Sequence, residues 1–286
     1  MSLSDDLRVR EATDADLPAL GAMRAAAGWN VHEWALRMAI ASPAIRFITV
    51  VGADRIVAMG SGAAYGPLGF VGNMLVAEDH RRRGIGGHVL ETILADLGEA
   101  GVVRIELYAT SAGRPLYERY GFGPMEPGSR APVPRGLLAT DRTSTVAVAS
   151  AADGWREVAG YDAPRFGGDR SSLLAHMATD PDRPLLVARR RESIVGFAWL
   201  RPEDERLGPF LADTPEVAAD LLVAAYEHMP DSSVLSMNLP TSNRTGMAWL
   251  GGLGVEIDPW DGRMGRGPEI PRRIETIYSN VVGALG

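Results

Sequence analysis

The chain has 286 residues, 46% of them hydrophobic, with a formal net charge of −7 and no cysteine. Lack of cysteine excludes a disulfide framework and any thiol nucleophile, and the acidic balance argues against nucleic acid as a main partner, since no general basic surface is left to meet phosphates. No apolar run reaches the ~18 residues of a membrane span and no charged-apolar-small signal opens the chain, so a cytoplasmic protein without a membrane partner is expected.

In chain order, Arg8-Val9-Arg10-Glu11-Ala12-Thr13-Asp14-Ala15-Asp16-Leu17 reads as a strand running into a helix. Next, Gly28-Trp29-Asn30-Val31-His32-Glu33-Trp34 gathers two tryptophans, an asparagine, a histidine and a carboxylate. These suit an aromatic wall with polar anchors; the other reading is that Trp29 and Trp34 anchor the core and Glu33 is solvated. An apolar run, Phe70-Val71-Gly72-Asn73-Met74-Leu75-Val76, then leads to Arg81-Arg82-Arg83-Gly84-Ile85-Gly86-Gly87. Ile85, Val89, Ile93 and Leu97 recur every four residues beyond it, with Leu90 and Leu94 widening the stripe, which predicts a helix.

The order is therefore strand, basic glycine-rich turn, helix. Glycines allow a tight turn in which successive N–H groups converge on an anion at a helix N-terminus. Arginines add forked donors suited to phosphate oxygens, so a pyrophosphate fits. The dinucleotide fingerprint does not match the spacing of Gly84, Gly86 and Gly87, and the segment lacks the lysine of a Walker loop. What remains is R-x-x-G-x-G at Arg81, Gly84 and Gly86, against the plainer reading of a solvated basic turn.

These segments together resemble the GNAT superfamily of acyl-CoA-dependent N-acyltransferases. The resemblance rests on the strand and helix at residues 8–17, on Met74-Leu75-Val76 leading into the R-x-x-G-x-G turn, and on Leu116-Tyr117-Glu118-Arg119-Tyr120-Gly121-Phe122, similar to the late LYExxGF segment of that family. It implies an α/β (α+β) fold, a mixed, mostly antiparallel twisted sheet flanked by helices. It also implies that Met74, Leu75 and Val76 lie on a strand splayed from its neighbour, leaving backbone groups for the pantetheine arm of acetyl-CoA. Arg81, Arg82, Arg83, Gly84, Ile85, Gly86 and Gly87 would hold the pyrophosphate. Tyr117 would be the general acid that protonates the departing thiolate, or else a ring packed on the sheet. Thr110 stands where the family often has asparagine, which puts a cofactor contact there in doubt. The first helix and its following loop border the acceptor in this family. That implies substrate contacts from Trp29, Asn30 and Trp34, with Glu33 or His32 taking the ammonium proton.

The chain also resembles itself. Val9 to Asp16 matches Val146 to Asp153 at an offset of 137, and Met38-Ala39-Ile40-Ala41-Ser42-Pro43 matches Met177-Ala178-Thr179-Asp180-Pro181. Ile56-Val57-Ala58-Met59 matches Ile194-Val195-Gly196-Phe197 at 138, and Leu116-Tyr117 matches Trp249-Leu250 at 133. Ordered self-similarity at a long period predicts two domains, 1–140 with the cofactor site and 141–286 as a degenerate copy, joined near Thr140 to Thr145. In the second copy, Leu207-Gly208-Pro209-Phe210-Leu211-Ala212 runs into Asp213-Thr214-Pro215-Glu216, which is shorter than the arginine turn and repels phosphate. Leu250 replaces Tyr117. Phe166-Gly167-Gly168-Asp169-Arg170-Ser171 adds a resemblance to the carboxy-terminal GNAT-like domain of certain two-domain acetyltransferases; Asp169 and Arg170 would reach the acceptor, or form an ion pair or helix cap. Ile274, Ile277, Tyr278 and Val281 predict a short helix in the tail.

Other signals are weaker. Arg189-Arg190-Arg191 reads as a solvated hairpin turn, and His32, His80, His88, His176 and His228 are scattered without metal spacing, so no metal is expected. No G-x-S-x-G elbow suggests a serine hydrolase. The expectation is direct transfer from acetyl-CoA to a small-molecule amine in a ternary complex, in a monomer or homodimer; the acidic surface mildly favours a cationic acceptor. The alternatives are a non-catalytic acyl-CoA sensor and a protein or peptide N-acetyltransferase.

Overall fold

The structure is a computed structural model that describes residues 6–30, 32–138, 147–150, 154–283 and 285–286. The expected connector at Thr140 to Thr145 lies outside them. The chain divides into two compact units: one is the chain up to Pro124 with Met264–Ile270 and Gly283–Gly286, the other Met125–Arg263 with Pro271–Val282.

The first unit runs β1 (Leu7–Glu11), α1 (Leu17–Ala26), α2 (Glu33–Ala41), β2 (Ile45–Gly52), β3 (Arg55–Tyr65), β4 (Leu68–Val76), α3 (Ile85–Glu99), β5 (Arg104–Tyr108), α4 (Arg114–Arg119) and β6 (Gly123–Pro124). Strands β1 to β4 are an antiparallel meander, and β5 joins β4 in parallel. The predicted helical stripe is real: Ile85, Val89, Leu90, Ile93 and Leu97 of α3 are buried against Ile48, Val50, Val57 and Ile105 of the sheet. Close approach of α3 depends on Gly60 of β3, where a Cβ would lie 2.6 Å from Val89 Cγ1 and 2.7 Å from Met74 Sδ.

The second unit runs β7 (Gly128–Pro134), β8 (Ala147–Ser150), α5 (Trp155–Phe166), α6 (Ser171–Met177), β9 (Leu185–Arg190), β10 (Ser193–Arg201), β11 (Arg206–Ala212), α7 (Pro215–Tyr226), β12 (Val234–Pro240), α8 (Arg244–Gly252) and β13 (Asp258–Trp260). Two late strands follow, β14 (Arg263–Arg266) and β15 (Ile277–Ser279). The sheet order is β13-β7-β12-β11-β10-β9-β8, with β15 on β11, against β1-β2-β3-β4-β5-β14-β6 in the first unit. Each sheet is mixed and mostly antiparallel. Val217, Leu221 and Leu222 of α7 bury against Phe210, Leu235 and Met237.

Two features differ from the sequence reading. Division at 140/141 is displaced: β7 pairs along its whole length with β12 of the second sheet, while β14 pairs Met264 with Pro124 and Gly265 with Gly123 in the first. Strand pairing across long loops decides this, and no local pattern reports it. The tail after Pro271 is a 3-10 turn (Ile274–Thr276) followed by β15, not a helix. A lone helix this short nucleates poorly, whereas an open strand edge rewards pairing at once.

Candidate active site

Strand β4 changes partners along its length. Its parallel ladder with β5 runs from Leu68↔Arg104 to Val71↔Leu107 and stops. On the other side it follows β3 to Leu75↔Met59 and Val76↔Ala58, with a bulge between. Asn73 sits at that bulge with φ 55°, a left-handed conformation that asparagine tolerates better than most residues. From Gly72 to Val76 the strand is therefore paired on one edge and open toward β5.

The turn after β4 leaves several backbone donors open. Arg81 Nε donates to the carbonyl of Val76 at 3.1 Å, and Arg82 and Gly84 take left-handed φ of 61° and 83°. Helix α3 starts at Ile85, and its first bond runs from the N–H of His88 to the carbonyl of Gly84. The N–H groups of Ile85, Gly86 and Gly87 have no acceptor among the described residues. Such orphan donors at the positive end of a helix dipole are an anion site.

A cleft of about 560 Å³ joins these parts. Met74, Leu75, Val76, Arg81, Arg82, Gly84, Ile85, Gly86, Gly87, Tyr117 and Trp29 all line it. Arg83, Asn30, Trp34 and Glu33 do not. Glu33 is exposed at the start of α2, where its carboxylate pairs with Arg37 one turn later at 2.8 Å, so a direct proton-accepting role in this cleft has no support. Trp34 stacks obliquely with His32, ring centroids 6.2 Å apart.

Tyr117 is buried on α4, its ring edge-on to Phe122 at 6.0 Å. Burial pushes its phenol up to about 12, and its hydroxyl has no hydrogen-bond partner among the described residues. The phenol is held in its neutral form, in the lining of the same cleft as Met74, Leu75 and Val76. Thr110 also lines the cleft, and its hydroxyl accepts the N–H of Gly113 at 3.2 Å in the turn into α4.

Three basic residues carry no site role in the sequence reading. His80 and Arg119 line the cleft, each adjacent to or within a recognised segment but with no spacing that marks it. Arg24 of α1 has no local signal at all. Its Nη1 donates to Asn73 Oδ1 at 2.8 Å, across 49 residues of sequence, and its Nε and Nη2 donate to the carbonyl of Asn30 at 3.0 and 2.8 Å. The guanidinium lies 5.7 Å from the centre of the Trp29 ring, and Asn73 Nδ2 in turn donates to Ser61 Oγ at 2.9 Å.

The second unit repeats the frame without the opening. Strand β11 meets β12 only at Arg206↔Ser236, and β15 then pairs with β11 at Leu211↔Ile277 and Phe210↔Ser279. The edge that β4 leaves open is filled here by the chain's own tail. Asp213 is held by Arg165 at 2.9 Å and by the Tyr161 hydroxyl at 3.0 Å, and Leu250 is buried in the core. Asp169 accepts the N–H of Ser171 at 2.8 Å in a local turn, and the buried Arg170 pairs with Asp162 at 2.8 Å. Arg189 pairs with Glu157 and Arg191 turns the β9–β10 hairpin at φ 54°.

Among the described residues no helix is long and apolar enough to cross a membrane, and no group of three or more His, Asp or Glu side chains is placed to hold a metal ion. Two family models match, each described as an acetyltransferase (GNAT) domain: one over residues 43–124, the other over 158–279. The uncharacterized N-acetyltransferase YitH of Bacillus subtilis is 23% identical over 160 residues, 55% of this chain, and the match spans only 56% of that protein. A candidate acetyltransferase from Pyrococcus horikoshii superposes over 100% of this chain and 98% of its own, with TM-score 0.81 and 22% identity. A tandem GNAT protein from the clavulanic acid biosynthesis pathway covers 92% and 99%, with TM-score 0.63 and 15% identity. At these identities the structural likenesses establish the fold.

Proposed function

The chain belongs in both its halves to the GNAT acetyltransferases, in tandem form, and from that premise we propose that it moves an acetyl group from acetyl-CoA to the amine of a small molecule. One observation carries the reading: the open edge of β4 from Gly72 to Val76 ends beside three orphan N–H groups at the start of α3. An amide-bearing arm completes that strand ladder, and a pyrophosphate suits the orphan donors with Arg81 and Arg82. The residues fit the group. Acetyl-CoA supplies an acetyl thioester, already activated toward nitrogen.

The remaining chemistry falls to this chain. Alignment of two substrates in one cleft removes most of the entropic barrier, and open N–H groups of β4 polarise the carbonyl. The nitrogen–carbon bond forms as the carbon–sulfur bond breaks. Tyr117 keeps its proton through neutral pH and gives it to the departing sulfur; the ammonium proton passes to water, which then restores the phenol. No Asp or Glu lines the cleft to take that proton directly. Trp29 forms the acceptor-side wall.

Calorimetric titration with acetyl-CoA, followed by thiol release over a panel of small primary amines, tests the proposal. Micromolar binding with amine-dependent release is expected. No binding at millimolar concentration would sink it, and binding without release from any amine would leave a sensor in its place.

A further inference from the structure

Resting on the acetyl-transfer reading, we propose that the acceptor is a small amine that also carries a carboxylate, and that Arg24 is the counter-charge that receives it. Arg24 is half-buried and uses three of its five N–H groups, all on neutral acceptors, the Asn30 carbonyl and Asn73 Oδ1. Among the described residues no carboxylate pairs with it. Other arginines of the same unit are treated differently: the buried Arg104 pairs with Glu106 and with Glu269 at 2.8 Å, and even the more exposed Arg10 and Arg46 pair with Asp16 at 2.7 Å and with Asp96. Burial lowers the Arg24 pKa, the signature of a cation whose lost hydration is not repaid by an anion. A guanidinium remains charged regardless, so the deficit persists until a ligand meets it.

Its position gives that deficit a use. Arg24 is not itself a lining residue, but it is fixed to the segment bearing Trp29, a cleft wall, and to the residue just before Met74, another. The cleft lining holds His80, Arg81, Arg82 and Arg119 and no Asp or Glu. Arg81 and Arg82 are accounted for by the pyrophosphate turn, whereas Arg24 bonds to the acceptor-side segment. The two remaining N–H groups, one on each Nη, can donate to a carboxylate, and a polycationic acceptor would meet only repulsion. The positive field also favours the neutral amine that attack requires. The chain's charge of −7 suggested a cationic acceptor, but a site responds to its nearest charges.

Matched acceptors test the idea with the full chain and acetyl-CoA: phenylalanine against 2-phenylethylamine, leucine against 3-methylbutylamine, and tryptophan against tryptamine. The wild type should favour the carboxylate member in kcat/KM by about tenfold or more, and Arg24→Gln should lower that ratio by a similar factor. Arg24→Lys should keep part of it. Reading the change in ratio cancels the different basicities of the two amines. A merely structural Arg24 would depress both members alike and leave the ratio intact, which overturns the proposal. Equal or faster acetylation of the decarboxylated members also overturns it, while acetyl transfer itself stands. Silence from every pair with acetyl-CoA bound overturns both readings together.

Discussion

Tyr117 shows how burial fixes the protonation state of a side chain. A phenol near 10 in water is pushed up to about 12 inside the fold, so it is fully protonated wherever the protein operates. Tyr117→Phe should bind acetyl-CoA with unchanged affinity by calorimetry and lose about 10²- to 10³-fold in kcat. Since the shift is upward, no alkaline fall in kcat/KM from this residue is expected below about pH 11; rate should instead rise with pH as the acceptor amine loses its proton. Unchanged turnover in the phenylalanine variant would remove Tyr117 from the mechanism.

At the level of elements, two contacts set the frame. Helix α3 lies close enough to β3 that Gly60 admits no side chain: Val89 Cγ1, Met74 Sδ and Ile93 Cδ1 would all sit within 2.9 Å of a new Cβ. Gly60→Ala should therefore cost about 1–3 kcal/mol by urea unfolding. Because one of the displaced atoms belongs to Met74, acetyl-CoA affinity should fall with it. At the start of α1, Asp16 accepts the Thr13 N–H at 2.8 Å and pairs with Arg10, which lowers its carboxyl from 3.8 to about 2. A depressed carboxyl stabilises the fold above its ordinary pKa and loses that contribution as pH falls toward 2. Allowing for an Arg10 side chain 44% exposed, Asp16→Asn should cost roughly 1–2 kcal/mol at neutral pH. The gap to wild type should shrink below about pH 4 and vanish near pH 2, read from unfolding midpoints across pH.

For the molecule as a whole, duplication did not double the site. In the first unit the edge of β4 is open past Val71; in the second the corresponding edge of β11 is closed by β15 from the same chain. Titration of the full chain should give one acetyl-CoA per chain. A stoichiometry of two would mean that β15 yields its place and would contradict this account.

The sequence by itself determined the strand–turn–helix at residues 70–97, the repeat, and the acidic replacement of the turn in the second copy. Apart from the repeat, which shows as ordered self-similarity, those features are local: left-handed φ at Gly84, orphan donors at a helix start and a 3.6-residue stripe are each set within a few turns of chain. Glu33, adjacent in sequence to plausible site residues, points into an ion pair with Arg37 instead, because a helix face rather than proximity in sequence decides what a side chain meets. Tertiary structure alone brought Arg24 to Asn73 and turned the tail into β15. Neither has a local signature, since the gain lies in a partner dozens of residues away and the cost is a loop closure that no short window reports.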